Sequence, residues 1–398
     1  MPSEGMGPEG LALPREGTER ARPEQAEAKG LHLPHVSQVL HSGHEALPLH
    51  RPLWASAAPR LAYTIGALFL FVLALEALKS GAGGVKPVLN GVSADGVFNL
   101  LGFGWAGAYF VMSGSPVAAI ALSLFAGGTI SDTEAFAMIN GSRLGASFIV
   151  LLVGFLLYLG HRRTADGLYI GVVALLTAFT LWLPVLPIGI LVLRSGWLDG
   201  IHVSSPAPIT SFVDTVYNPV LDLATDHLPR LLVFAGGIGV LLGSFTIFDR
   251  ALPNLEQPSL RVERIKEWIH HPLAMFVLGL VITAMTMSVS LSLTLLIPLS
   301  LKGYIRRDGI IPYVMGANIS TWVDTMIAAL LLDSPRAFTI VLVQMVVGAA
   351  VSLAVLLFAY RPYSRAILGL ATRVAHDRRG FALFLGAIFL VPLALFFS

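Results

Sequence analysis

Phe110-Val111-Met112-Ser113-Gly114-Ser115 and Met285-Thr286-Met287-Ser288-Val289-Ser290 are two versions of one phrase, 175 residues apart (110 to 285). The same offset, without a gap, carries Gly104 onto Gly279, Gly128 onto Gly303 and Gly141 onto Gly316. It also lays Gly141-Ser142-Arg143-Leu144-Gly145-Ala146 on Gly316-Ala317-Asn318-Ile319-Ser320-Thr321. Matched Ser-x-Ser breaks inside two long apolar stretches are the mark of a membrane transporter built from internal repeats.

Composition points the same way. The 398 residues are 55% hydrophobic and 13% charged, with a mean hydropathy of +0.75. A soluble domain carries roughly 25% charged residues, so this chain lacks the polar surface to live in water. The absence of cysteine excludes disulfides, thiolate zinc sites and iron–sulfur clusters. No HExxH, G-x-S-x-G or P-loop is present, so neither an enzyme nor a bound cofactor is expected, and nothing points to nucleic acid.

Residues 1–58 have no apolar core and mix Pro, Gly, Glu and Arg, which predicts a disordered cytoplasmic tail and not a signal peptide. Seven apolar stretches approach the roughly 20 residues a membrane crossing needs: Leu61–Leu78, Ala135–Leu159, Leu168–Leu193, Leu231–Phe248, Ile310–Leu332, Phe338–Tyr360 and Phe381–Phe397. Val97–Gly127 and Pro272–Leu301 are too short for two crossings each and are broken by the Ser-x-Ser pair. Each therefore predicts a re-entrant helical hairpin, whose tip must be sheltered by protein or a watery cavity.

Basic residues orient the chain. With the amino terminus inside, Arg162 and Arg163, then Arg250, Arg261, Arg264 and Lys266, then Lys302, Arg306 and Arg307, and finally Arg361 to Arg379 all fall on the cytoplasmic side. The stretch with Asp199, Asp214, Asp222 and Asp226 falls outside, and the two repeats come out in opposite orientations. The expected fold is an all-α polytopic membrane protein with two inverted-topology repeats and one extra C-terminal transmembrane helix. Its parts are the tail (1–58), repeat 1 (59–196, hairpin 97–129), an extracellular loop (197–229), repeat 2 (230–360, hairpin 272–302), and a basic cytoplasmic segment with the last helix (361–398). The expected location is the cell inner (plasma) membrane, multi-pass; a homodimer stays open. Arg261–Ile269 reads as an amphipathic helix on the cytoplasmic surface, and the adjacent His270 and His271 lack metal-ligand spacing.

Ser113, Ser115, Ser288 and Ser290 put hydroxyls at the two tips, which inverted symmetry brings together near the midplane. Hydroxyls can hold an oxyanion or help ligate a small cation, and the N-termini of the following half-helices favour an anion. The plain alternative is that these serines bond only to their own backbone. Arg143 and Asp324 are ionisable groups inside apolar helices, costly unless paired or facing a cavity. Arg143 could fork onto an anionic substrate, replace a coupling cation, or snorkel to Asp132 and Glu134. Asp324 could hold sodium or carry a proton.

Gly316-Ala317-Asn318-Ile319-Ser320-Thr321-Trp322-Val323-Asp324-Thr325 resembles the Gly-Ala-Asn-Ile-Gly-Thr-Thr-Val-Thr signature of the sodium/phosphate cotransporter family (type II and bacterial relatives). Thr283-Ala284-Met285-Thr286-Met287-Ser288-Val289-Ser290 is similar to the family's Thr-Ala-Leu-Val-Gln-Ser-Ser-Ser, and Arg336-Ala337-Phe338 to its Arg-Ala-Phe. The resemblance spans roughly residues 60–360 and is strongest in the second repeat. It implies a symporter in which hairpin serines contact phosphate, here Ser113, Ser115, Ser288 and Ser290 with Arg143. It also implies sodium held by hairpin and signature oxygens, here Asn318, Ser320, Thr321 and Asp324. Met112 and Met287 stand where the family has Gln, Arg143 where it has Asn, and Asp324 where it has Thr. The expected function is sodium-coupled symport of phosphate or a related small anion. The same fold with another substrate or proton coupling, and a non-transporting membrane scaffold or regulator, are the alternatives.

Overall fold

The computed structural model describes residues 53–91, 96–157, 165–201, 203, 205–251, 271–301 and 305–398. The tail up to position 52, Asp95, Arg162, Arg163, the Arg261–Ile269 segment with His270, and Lys302 lie outside the described residues. Among the described residues the chain is helical, without a strand. Helix α1 (Leu53–Gly81) leads through a 3₁₀ turn to a short α2 (Lys86–Gly91). It takes up residues 53–58, which the sequence assigned to the tail. Then come α3 (Val97–Val111), α4 (Ser115–Ala126), α5 (Asp132–Ala146), α6 (Phe148–Leu157) and α7 (Ala165–Ser195). After α8 (Ala207–His227) and α9 (Arg230–Ala251) follow α10 (Pro272–Thr286), α11 (Val289–Thr294) and α12 (Leu296–Leu301). The chain ends with α13 (Arg307–Ser320), α14 (Trp322–Leu331), α15 (Pro335–Ala354), a π-helical turn at Val355–Ala359, α16 (Tyr360–His376) and α17 (Arg378–Phe396).

Seven stretches are long and apolar enough to cross a membrane: Pro59–Gly84, Asp132–Leu156, Gly167–Ser195, Arg230–Arg250, Arg307–Leu331, Pro335–His376 and Arg378–Phe396. They coincide with the seven read from the sequence. The shorter α3 and α10 have 15 residues each, about 22 Å of helix against a hydrocarbon core of about 30 Å. Neither crosses alone.

Local chemistry ends these two helices at the same repeat position. Met112 (φ 56°) and Met287 (φ 46°) both adopt the left-handed conformation, a strained choice for a side chain with a Cβ. Downstream, Pro116 starts α4 in the first turn, where its missing N–H costs nothing. Ser288 caps α11 by accepting the Leu291 N–H at 3.2 Å.

Packing obeys the 175-residue offset too. A Cβ at Gly104 would strike the Met138 carbonyl, and one at Gly141 the Leu101 carbonyl. A Cβ at Gly279 would strike the Tyr313 carbonyl, and one at Gly316 the Phe276 carbonyl. Both members of each contact are related by the offset. Thus α3 lies on α5 as α10 lies on α13, backbone against backbone, as small residues allow in membranes.

The buried side chains form two main clusters. One joins α3, α4 and α5 to α14 and α15; the other joins α10, α11 and α13 to α6 and α7. Each hairpin is therefore packed by helices from the other half of the chain. The 197–229 stretch, expected as a loop, contains α8, which buries Val213, Tyr217 and Leu221 against Val72 and Ala77 of α1. An amphipathic face interleaved with three aspartates and two prolines explains why it reads as loop.

Candidate substrate site

The α5–α6 and α13–α14 stretches each break at or just after the end of the offset-matched segments Gly141–Ala146 and Gly316–Thr321. The α5–α6 break falls at Ser147 (φ −74°, ψ −7°) and the α13–α14 break at Thr321 (φ −68°, ψ −4°). Such breaks free backbone groups in the membrane interior and set polar side chains beside them. The α5 break follows Arg143 and the α14 start carries Trp322, Asp324 and Thr325, so the two intramembrane charges face one region.

Arg143 has no exposed surface and Asp324 is 7% exposed. The Arg143 Nη2 donates to Thr325 Oγ1 at 3.0 Å. Thr325 Oγ1 in turn donates to Asp324 Oδ1 at 3.1 Å, and the Thr325 N–H reaches the same oxygen at 2.6 Å. The guanidinium lies 4.1 Å over the Trp322 ring, a cation–π contact that partly replaces lost hydration. Its Nε and Nη1, and the Asp324 Oδ2, are buried without a hydrogen-bond partner. Arg143 does not snorkel: Asp132 is taken by Arg336, at 2.6 Å.

The tips also meet. Ser290 Oγ donates to the Met112 carbonyl at 2.7 Å, joining the second tip to the first. Ser115 is buried and its hydroxyl lies beside the Asp324 carboxylate. Ser113 is half-buried in the connection between α3 and α4. Ser288 is half-buried as a helix cap, so part of its hydrogen-bonding capacity serves its own backbone. Of the signature residues, Asn318 donates to the Val314 carbonyl of its own helix at 2.9 Å and Thr321 to the Asn318 carbonyl at 3.0 Å. Asn318 Oδ1 and Ser320 Oγ remain buried and unpartnered. Among the described residues no group of three or more His, Cys, Asp or Glu gathers for a metal. A sodium ion here would depend on hydroxyl, amide and carbonyl oxygens around one carboxylate.

A cavity of about 70 Å³ opens beside Asp324, walled by Phe71 of α1, Ser244, Phe245 and Phe248 of α9, Ile327 of α14, and Met287 at the second tip. Ser244 is occupied by the Leu241 carbonyl at 2.7 Å, so Asp324 is the polar feature of an otherwise apolar wall. Trp322 and Thr325 lie within the Gly316–Thr325 stretch but are not among the site residues the sequence points to. Their signal was adjacency to Asp324, and only the fold turns them toward Arg143. A second polar group lies deeper: Gln344 donates to Asn140 at 2.8 Å and Asn140 to the Trp182 carbonyl at 2.9 Å. Single amides in apolar helices carry no pattern that would reveal this pairing.

Residues 240–374 match the family model described as Na+/Pi-cotransporter. The chain resembles the sodium/phosphate cotransporter family. The matched span runs from α9 into α16 and contains the second hairpin and the Gly316–Thr325 signature, whereas Arg143 and the first hairpin lie before it. No curated protein and no solved structure matches the chain. Seven apolar spans together with this likeness to cotransporters describe a multi-pass membrane protein.

Proposed function

We propose that the chain is a secondary active transporter that carries phosphate or a related small anion in symport with sodium. Two inverted repeats would present their re-entrant tips to a shared site in the inner (plasma) membrane, with the amino terminus in the cytoplasm. The contact that carries the reading is the bond between Ser290 and Met112, which closes the two tips on each other next to Ser115 and Asp324. The offset-related glycine contacts and the equivalent left-handed methionines support the repeats. In this reading Ser113, Ser115, Ser288 and Ser290 contact the anion, and the free Nε and Nη1 of Arg143 supply charge-assisted donors to it. Asn318, Ser320, Thr321 and Asp324 offer the oxygens for sodium.

Uptake of labelled phosphate into proteoliposomes under an inward sodium gradient tests it. Ser288→Ala with Ser290→Ala should abolish uptake while the protein still purifies as one species. Unchanged uptake in that variant would reduce the serines to packing groups.

One observation favours a second reading, the same fold with other coupling or another substrate. Arg143 occupies the position that the offset assigns to Asn318, so a fixed positive charge stands in the first repeat where the second has an amide. Asp324→Asn separates the readings. Loss of sodium-dependent uptake at fixed pH identifies a sodium ligand; loss of uptake that follows a proton gradient without sodium identifies a proton carrier.

A further inference from the structure

Helix α15, the π turn and α16 run continuously over Pro335–His376, 42 residues, or about 63 Å of helix. That is about twice the hydrocarbon core, so the later part must leave it. The boundary is visible in the side chains. Leu357 and Phe358 in the π turn are 58% and 87% exposed, as lipid-facing residues are, and Arg361 follows at once. Beyond it, α16 buries Ser364, Ile367 and Ala371 against the bundle and turns Arg361, Arg365, Arg373 and His376 outward. Helix α17 then restarts an apolar crossing at Arg378 and Arg379. The cluster is thus held between the end of one span and the start of the next, at headgroup depth.

Its charge is one-sided. No acidic residue occurs between Tyr360 and His376. Asp377, the next carboxylate, is occupied in capping α17 through the N–H groups of Arg379 and Gly380. Among the described residues none of Arg361, Arg365, Arg373, Arg378 and Arg379 is ion-paired. Five guanidiniums without counter-ions at that depth match the phosphates of acidic lipids. The far end of α17 also grips the first hairpin. Gly102 of α3 has no room for a Cβ against the Pro392 carbonyl and Phe396 backbone, and Asn99 donates to the Phe396 carbonyl at 3.2 Å.

We propose that the α16–α17 corner binds the headgroups of anionic phospholipids and so steadies α17 against the hairpin helix α3. The proposal rests on membrane embedding and not on the transport reading, so either can fail alone. The test titrates the purified full-length chain in neutral detergent with short-chain phosphatidylglycerol or phosphatidylcholine, reading affinity and melting temperature. Phosphatidylglycerol should bind and raise the melting temperature, phosphatidylcholine should not, and added salt should weaken the effect. R361Q/R365Q/R373Q should bind phosphatidylglycerol roughly a hundredfold more weakly, and the matching triple Lys variant should keep most of the affinity. Equal affinity in the Gln variant, equal effects of the two lipids, or a matching shift with inorganic phosphate alone would overturn it. Should the triple variant not purify, R373Q and the salt dependence of the unaltered chain decide, and salt-independent binding rejects the proposal.

Discussion

Taking a guanidinium out of water costs several kcal/mol even after relaxation, and at Arg143 that cost is offset by three neighbours. Trp322 covers its face, Thr325 accepts one N–H, and Asp324 stands one hydroxyl away with the opposite charge. Removing one member leaves the other charge uncompensated. Arg143→Met should therefore lower stability by about 3–5 kcal/mol and abolish uptake at every sodium concentration. The double variant Arg143→Met with Asp324→Asn should recover most of the stability but none of the transport. Thermal unfolding of the purified proteins and proteoliposome uptake give both readouts. A single variant as stable and active as the unaltered chain would mean that the pair is incidental.

At the scale of elements, the geometry of each hairpin depends on helices that touch through backbone. Gly316 is the tightest case, because a methyl there meets the Phe276 carbonyl and comes within 2.9 Å of the Leu280 nitrogen. Carbonyls within a helix cannot step aside as a side-chain tip can. Gly316→Ala should cost at least the roughly 1–3 kcal/mol of an overpacked core, seen as a lower melting temperature and less folded protein. Gly369 in α16 has nothing within 4 Å of its would-be Cβ. There alanine should stabilise the helix by up to about 1 kcal/mol. The contrast separates close approach from helix propensity. If both alanines behave alike, the interhelical contact is not what position 316 is for.

At the scale of the molecule, the halves are joined by the Arg143–Thr325 and Ser290–Met112 contacts and by a cluster at the start of α15. Arg336 donates to Asp132 at the head of α5 at 2.6 Å and to Asp199 beyond α7 at 2.5 Å. Its groups are about one-third to one-half exposed, so the contribution per pair is modest. Arg336→Gln should lower the melting temperature by a few degrees, less at high salt; a salt-independent loss would point to packing instead. The proposed inverted topology makes a sharper prediction. The chain lacks cysteine, so Thr133→Cys and Arg306→Cys introduce single labels just past the two hairpins. They should react from opposite sides of the membrane. Reaction from the same side would remove the inverted topology.

Sequence alone determined the membrane environment, the seven spans and the positions of the two breaks. The environment and the spans are set by local hydropathy, and the breaks are marked by the helix-starting Pro116 and Ser288 beside them; none of these needs a distant partner to be read. It also marked Arg143 and Asp324, because an ionisable residue in an apolar helix is conspicuous whatever surrounds it. It did not show α8, whose apolar face is interleaved with Asp214, Asp222 and Asp226. Nor did it show what compensates Arg143, for Thr325 is 182 residues away and Trp322 looks like any buried aromatic. Which hydroxyl meets which charge is a property of the helix breaks at Ser147 and Thr321, and of the exchange of helices between the two halves. Those are decided by packing at a distance, and only the tertiary structure carries it.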